Sequence, residues 1–249
     1  MTAGEDWWTR PKKETLLAER RTRDAISGAV TSTNVMRIMD RASIHSERER
    51  VIVYVDGFNL YFGMIEAGLS YCKWLNLTAL AQSLLKPGQL LADVKYFTSK
   101  VGNNPEKQKR QRTYIEALEE QGVQIHYGHY QKNSVECNRC GHIWPGYNEK
   151  MTDVNIATQM IIDAYRDNFD MAMLISGDSD LVPPIMAIHE NFPEKRVCVM
   201  FPPRRHSSAV AMVAKGSYTI GRKKLVESQF PSEVKKRDGY ILRKPKDWK

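Results

Sequence analysis

No stretch of these 249 residues approaches the roughly 20 consecutive apolar residues that cross a bilayer, and the opening MTAGEDWWTRPKK lacks the basic-then-apolar layout of a secretory leader. A cytoplasmic protein is therefore expected. Cysteine is scarce: Cys137 and Cys140 form a C-x-x-C, while Cys72 and Cys198 sit in apolar runs where a reduced thiol behaves as a small hydrophobe. A disulfide framework is not expected. No G-x-x-x-x-G-K-[ST] loop occurs, which argues against a P-loop nucleotide hydrolase, and no segment repeats. An excess of one charge is also missing from most of the chain. The net charge is +8, yet residues 51–221 carry 17 basic and 17 acidic residues, whereas 222–249 carry 10 against 4. The basic balance describes a C-terminal tail more than a fold, and such a tail suits a polyanion or simply keeps a chain dissolved.

The length suits one sizeable α/β domain with extensions. Residues 1–50 are charged and irregular, with a short helix in ETLLAERRTRDAI at most, and read as an extension; Met36 and Met39 are alternative starts. From Val51 the chain alternates β-rich apolar runs with helical periodicity, the pattern of βαβ units on a mostly parallel sheet. The expected strands are VIVYV (51–55), VKYFTS (94–99), VQIHYG (123–128), MAMLIS (171–176) and RVCVMF (196–201). Helices are expected near 77–85, 106–121, 154–168 and 182–189. In 154–168, Val154, Ala157, Ile161 and Ala164 recur at helical spacing and mark a core face. The domain then spans 51–221, with an insertion at 129–150 too long for an ordinary βα turn, and a basic tail at 222–249.

Four aspartates carry the chemistry. In an open parallel sheet, ligands bind outside the carboxyl ends of the strands. Asp56 directly follows VIVYV and Asp178 follows MAMLIS by two residues, so both project from that edge. Asp153 begins the helix that enters from the same edge. Asp180 must sit near a helix start, because Pro183 and Pro184 are tolerated only in a first turn. Asp153 and Asp180 also have ordinary value as helix caps, worth about 1 kcal/mol each. Asp170 lies roughly 25 Å away, at the amino end of the strand that Asp178 follows, and Asp163 about 15 Å along its helix. Neither belongs to the cluster. Clustered carboxylates repel and raise each other's pKa unless a cation lies between them. Mg²⁺ or Mn²⁺ suits such oxygen ligands, and the chemistry indicated is metal-dependent hydrolysis of a phosphodiester.

In VDGFNLY, NPEKQKRQRTYIEAL, EKMTDVNIATQMIIDA and DMAMLISGDSDLVP the chain resembles the NYN domains of the LabA-like group, relatives of PIN-domain ribonucleases, over roughly residues 51–217. The resemblance implies a Rossmann-like, PIN-type three-layer sandwich with about five strands. It also implies an acidic metal site of Asp56, Asp153, Asp178 and Asp180, with Asn59 accessory. Endonucleolytic cleavage of single-stranded or structured RNA, leaving 5′-phosphate and 3′-hydroxyl ends, is the activity it implies. Some members are known mainly as regulators, so an RNA-binding protein without turnover is the alternative. PIN-like domains often pair, which allows a homodimer but names no interface. Other phosphotransfer folds fit less well: a haloacid-dehalogenase phosphatase wants D-x-D where Phe58 stands, and a Toprim domain wants Glu at Asp56.

Substrate contacts are expected from the same edge: Lys100, Lys150, Arg204 and Arg205, with Ser176 bonding either substrate or the loop backbone as a turn serine, and with Lys107, Lys109, Arg110 and Arg112 either approaching it or forming a solvated helix face. Tyr61 and Phe62 are candidates for stacking on a base or for helix packing. For the C-x-x-C two readings stand. One is structural zinc held by Cys137, Cys140, His129 and one other histidine, His142 or His126; the other is a knuckle-like turn without metal or completed by another subunit.

Overall fold

The computed structural model describes residues 48–248 apart from 103, 137–139 and 142, and gives the backbone alone in 129–136 and 143–150. The N-terminal extension lies outside these residues up to position 47. In chain order the elements are β1 (Glu49–Asp56), α1 (Gly57–Glu66), a 3₁₀ turn (Ser70–Lys73), α2 (Leu77–Leu84), β2 (Gln89–Thr98), α3 (Pro105–Glu120), β3 (Gln124–Tyr127), β4 (His129–Glu136) and β5 (Ile143–Lys150). There follow α4 (Thr152–Tyr165), β6 (Met171–Ile175), a 3₁₀ turn (Ser179–Leu181), α5 (Val182–Asn191), β7 (Arg196–Phe201), α6 (Ser208–Val213), β8 (Gly216–Thr219), α7 (Arg222–Glu227), β9 (Glu233–Lys235) and β10 (Ile241–Arg243).

Six strands form one sheet in the order β3-β2-β1-β6-β7-β8, and every neighbouring pair is parallel. Side chains alternate across a strand, so β1 feeds two cores. Val51, Val53 and Val55 pack with α1, α2 and α3 on one face, while Ile52 and Tyr54 pack with α4 and α5 on the other. Burial on both faces explains why β1 shows no polar alternation. The result is the expected α/β three-layer sandwich, with six strands rather than about five. The additional strand is β8: GSYT is short, polar and exposed, and offers no apolar run to read.

Three other expectations change. The buried face of α4 consists of Thr152, Ile156, Met160, Asp163 and Ala164, whereas Val154 and Ile161 are exposed. Counting apolar residues misplaced that face because it contains an aspartate. Residues 222–248 of the basic tail pack on the domain: Leu225, Phe230, Val234 and Leu242 are buried, and Trp248 packs edge-on against Trp74 and Tyr114. Its basic residues are partly neutralised, Lys236 pairing with Glu116 and Asp238, and Arg243 with Glu233. Third, the insertion is an antiparallel hairpin of β4 and β5, in which His129 pairs with Lys150 at the base and Glu136 with Ile143 next to the tip. His129 is therefore a full eight-residue strand from the C-x-x-C turn, about 24 Å. That places it too far along the hairpin to share an ion with Cys140. Cys137 and His142 lie outside the described residues, and Cys140 is exposed.

Candidate metal centre

β1 and β6 are neighbours, and the chain leaves them in opposite directions, towards β2 and β3 on one side and β7 and β8 on the other. A crevice opens at the carboxyl ends of two such strands. Asp56 closes β1 and caps α1, one carboxylate oxygen accepting from the Asn59 amide at 3.0 Å. Gly57 permits this tight exit: a Cβ there would lie 2.6 Å from the Phe97 carbonyl oxygen. The other oxygen of Asp56 accepts from the Ser176 hydroxyl at 2.8 Å, and the same Oγ accepts from the Asp178 amide at 3.1 Å. Asn59 completes the stitch, its side-chain oxygen accepting from the Gly177 amide at 3.0 Å. Gly177 is also covered, since a Cβ at that position would lie 1.7 Å from the Arg205 carbonyl oxygen.

Of the two readings of Ser176, the structure shows the bond to the loop backbone: it is fully buried and holds Asp56 against the Asp178 backbone. Asn59 fixes the SGDSD loop through its backbone. Asp178 caps the 3₁₀ turn, accepting from the Asp180 amide at 2.9 Å, and α5 starts at Val182 with its prolines in the first turn. Asp153 lies in the first turn of α4, immediately beyond Met151 with its left-handed φ of 78°.

The outcome is a compact acidic group. One carboxylate oxygen from each of Asp56, Asp153 and Asp178 lies within 4.8 Å of the others. Burial, and then the charges of Asp56, Asp178 and Asp180, push Asp153 up to about 6. Asp180 is thus close enough to be felt, although it lies outside the group of three and is exposed. An all-oxygen donor set with this much negative charge fits a hard divalent cation.

The other candidates separate. Lys100 is exposed at the carboxyl edge, its ammonium 5.2 Å from the centre of the Tyr127 ring. Tyr127 itself escaped the sequence reading; its position as the last residue of a strand was the available signal. Lys150 ends β5, two residues before α4 begins, and only its backbone is described. Arg205 is paired with Glu66, while Arg204 is exposed with a positive φ of 61°. On α3, Lys107, Lys109 and Arg112 are exposed and Arg110 is paired with Asp247. Tyr61 and Phe62 are both partly open to solvent, at 41% and 46%, and their rings also touch each other along α1. Asp163 and Asp170 stay apart from the cluster, bound to Lys95 and Arg50 respectively.

Comparison with known proteins agrees with this fold. A crystal structure of a protein of unknown function from Vibrio parahaemolyticus RIMD 2210633 superposes with a TM-score of 0.50 at 21% identity, covering 71% of this chain and 96% of that one, a likeness of fold alone. A curated relative, the 6-hydroxy-3-succinoylpyridine 3-monooxygenase HspA of Pseudomonas putida (strain DSM 28022 / S16), is 27% identical over 195 residues, or 64% of this chain and 61% of its own length. The chain thus spans about three-fifths of that protein. The model described as NYN domain matches residues 50–220, which contain all three clustered aspartates. The chain belongs to the NYN domain family.

Proposed function

We propose that the protein is a metal-dependent endoribonuclease, hydrolysing phosphodiester bonds of RNA at the crevice between β1 and β6. The observation that carries this reading is the triad of Asp56, Asp153 and Asp178, with oxygens within 4.8 Å of one another. Asp56, Asp153 and Asp178 would hold Mg²⁺ or Mn²⁺, with Asp180 at its margin. When bound, such an ion supplies an activated water and neutralises charge that builds on the phosphodiester. The chain's own part is preorganisation. Ser176 and the Asn59 amide fix both oxygens of Asp56, and the Asn59 side chain fixes the loop that presents Asp178. Lys100 supplies positive charge at the rim, where a phosphate oxygen would otherwise meet the carboxylates unscreened.

The test is cleavage of single-stranded RNA with Mg²⁺ or Mn²⁺ by wild type and by Asp178→Asn. Loss of several kcal/mol of charge stabilisation corresponds to a rate lower by about a thousandfold. Equal rates would overturn the site. Sequenced products should carry 5′-phosphate ends. RNA bound at low salt but never cut, with either ion, would replace the enzyme by a binding protein of the same fold. The named activity of the Pseudomonas relative favours a second reading, oxygenation of a small pyridine. Uptake of oxygen with 6-hydroxy-3-succinoylpyridine and an added two-electron donor such as a reduced nicotinamide nucleotide, one oxygen atom entering the pyridine and the other leaving as water, in a preparation that leaves RNA intact, would establish it in place of the first.

A further inference from the structure

The carboxyl edge holds a second feature that the acidic centre does not use. A pocket of about 340 Å³ is lined by Gly68 and Tyr71 after α1, Arg204 after β7, and Arg222 at the start of α7. Arg204 and Arg222 are exposed, and neither forms an ion pair among the described residues. The Arg222 guanidinium lies 5.9 Å over the Tyr71 ring. The Tyr71 hydroxyl is buried and has no hydrogen-bond partner among the described residues. Two guanidiniums and an unmet phenolic O–H around one cavity form a donor set for an anion with several oxygen acceptors.

The helix α1 ties this pocket to the triad. It starts at its cap Asp56 and ends immediately before Gly68, so its ten residues separate the two sites by about 15 Å. Phe58, Tyr61 and Phe62 lie along it between the two; Tyr61 and Phe62 are exposed, and the Phe58 and Phe62 rings are stacked at 6.3 Å. Exposed aromatic faces beside cationic groups are what an unpaired nucleic-acid strand stacks upon. Glu66, the acid in this helix, is neutralised by Arg205.

We propose that the pocket of Arg204, Arg222 and Tyr71 binds a phosphate of the RNA strand a few nucleotides from the scissile bond, so that the enzyme takes an unpaired strand laid along α1. The proposal rests on the reading of the triad as an RNA-hydrolysing site. Its test is binding, measured apart from turnover. In the Asp178→Asn full-length protein, a fluorescent single-stranded RNA of about ten nucleotides is titrated with protein at several salt concentrations. Adding Arg204→Asn with Arg222→Gln should raise Kd about tenfold and make the logarithmic salt dependence shallower by about 0.7. Asparagine is chosen at 204 because it tolerates a positive φ. Tyr71→Phe, which removes only the hydroxyl, should raise Kd severalfold at an unchanged melting temperature. RNA affinity and salt slope unchanged in both variants would overturn the proposal. So would RNA binding that stays intact while affinity for a nucleoside 5′-monophosphate disappears, which would make the pocket a small-ligand site. Weakened RNA binding in a protein whose wild type cuts no RNA would keep the pocket and retire the hydrolase. Cleavage that proceeds with RNA affinity intact in both variants would do the reverse.

Discussion

At the amino ends of the central strands, Asp170 accepts from both the main chain and the guanidinium of Arg50, and Asp167 accepts from Lys195 at 2.6 Å. At the carboxyl ends, Asp153 and Asp178 form no ion pair among the described residues. The bond to Arg50 holds Asp170 below the usual carboxylate range, and the bond to Lys195 does the same for Asp167; burial and like charges push Asp153 the other way. Asp163 is the informative intermediate. It is buried between the sheet and α4, which alone would raise it, yet Lys95 at 2.6 Å, Asn168 and the Tyr54 hydroxyl outweigh the burial and lower it. Depth therefore does not distinguish structural from functional aspartates here. What separates Asp163 from Asp153 and Asp178 is whether a described residue supplies the countercharge.

The same substitution at the two kinds of site should have opposite consequences. Asp163→Asn leaves Lys95 buried without a countercharge and should cost about 3–5 kcal/mol in urea denaturation; adding Lys95→Met should restore most of it. An unchanged midpoint would show that Lys95 finds other solvation. Ser176→Ala strands one oxygen of Asp56 and the Asp178 amide, at about 1–2 kcal/mol of stability, and cleavage should fall with it. If stability drops and cleavage holds, the bridge does not position the carboxylates. Asp153→Asn should instead stabilise the metal-free protein at pH 7, by about 1 kcal/mol once its partial exposure is allowed for. A loss of stability there would place Asp153 with the structural aspartates.

The smallest effect is the pH response of metal-free protein. Because the folded state raises Asp153, its penalty is absent below about pH 4 and complete above about pH 6. Asp163, Asp167 and Asp170 are lowered and act in the opposite direction, so the comparison is with Asp153→Asn: the melting temperature of the wild type should fall relative to that variant over the window, and Mn²⁺ at pH 7 should raise the wild type alone. A difference between the two proteins that stays constant from pH 4 to 7 would contradict this account.

Much of the centre was legible because it depends on strand ends. Asp56 and Asp178 follow apolar runs that had to be adjacent strands, and the strand-end rule puts them on one edge. Asp153 needed the family resemblance, since a helix start alone does not say which strand it faces. Ser176 was visible as a candidate with two open roles, because only the crossing of two chain segments shows that its hydroxyl bonds both Asp56 and the Asp178 amide. The pocket at Tyr71 was illegible for a similar reason: Arg204 and Arg222 are separated by β8 in the chain and meet only in space. The basic C-terminal segment misled because charge density says nothing of the apolar residues spaced between the charges.

The local pattern of apolar runs, prolines and aspartates was enough to determine the alternation of strands and helices, the parallel sheet and the edge that carries the acidic residues. Those features follow from backbone geometry over a few residues. Tertiary structure alone decided what each buried carboxylate is bonded to, which face of α4 is buried, and where residues 222–248 go. Each of these depends on a partner distant in sequence: Lys95 for Asp163, Ser176 for Asp56, and Trp74 for Trp248.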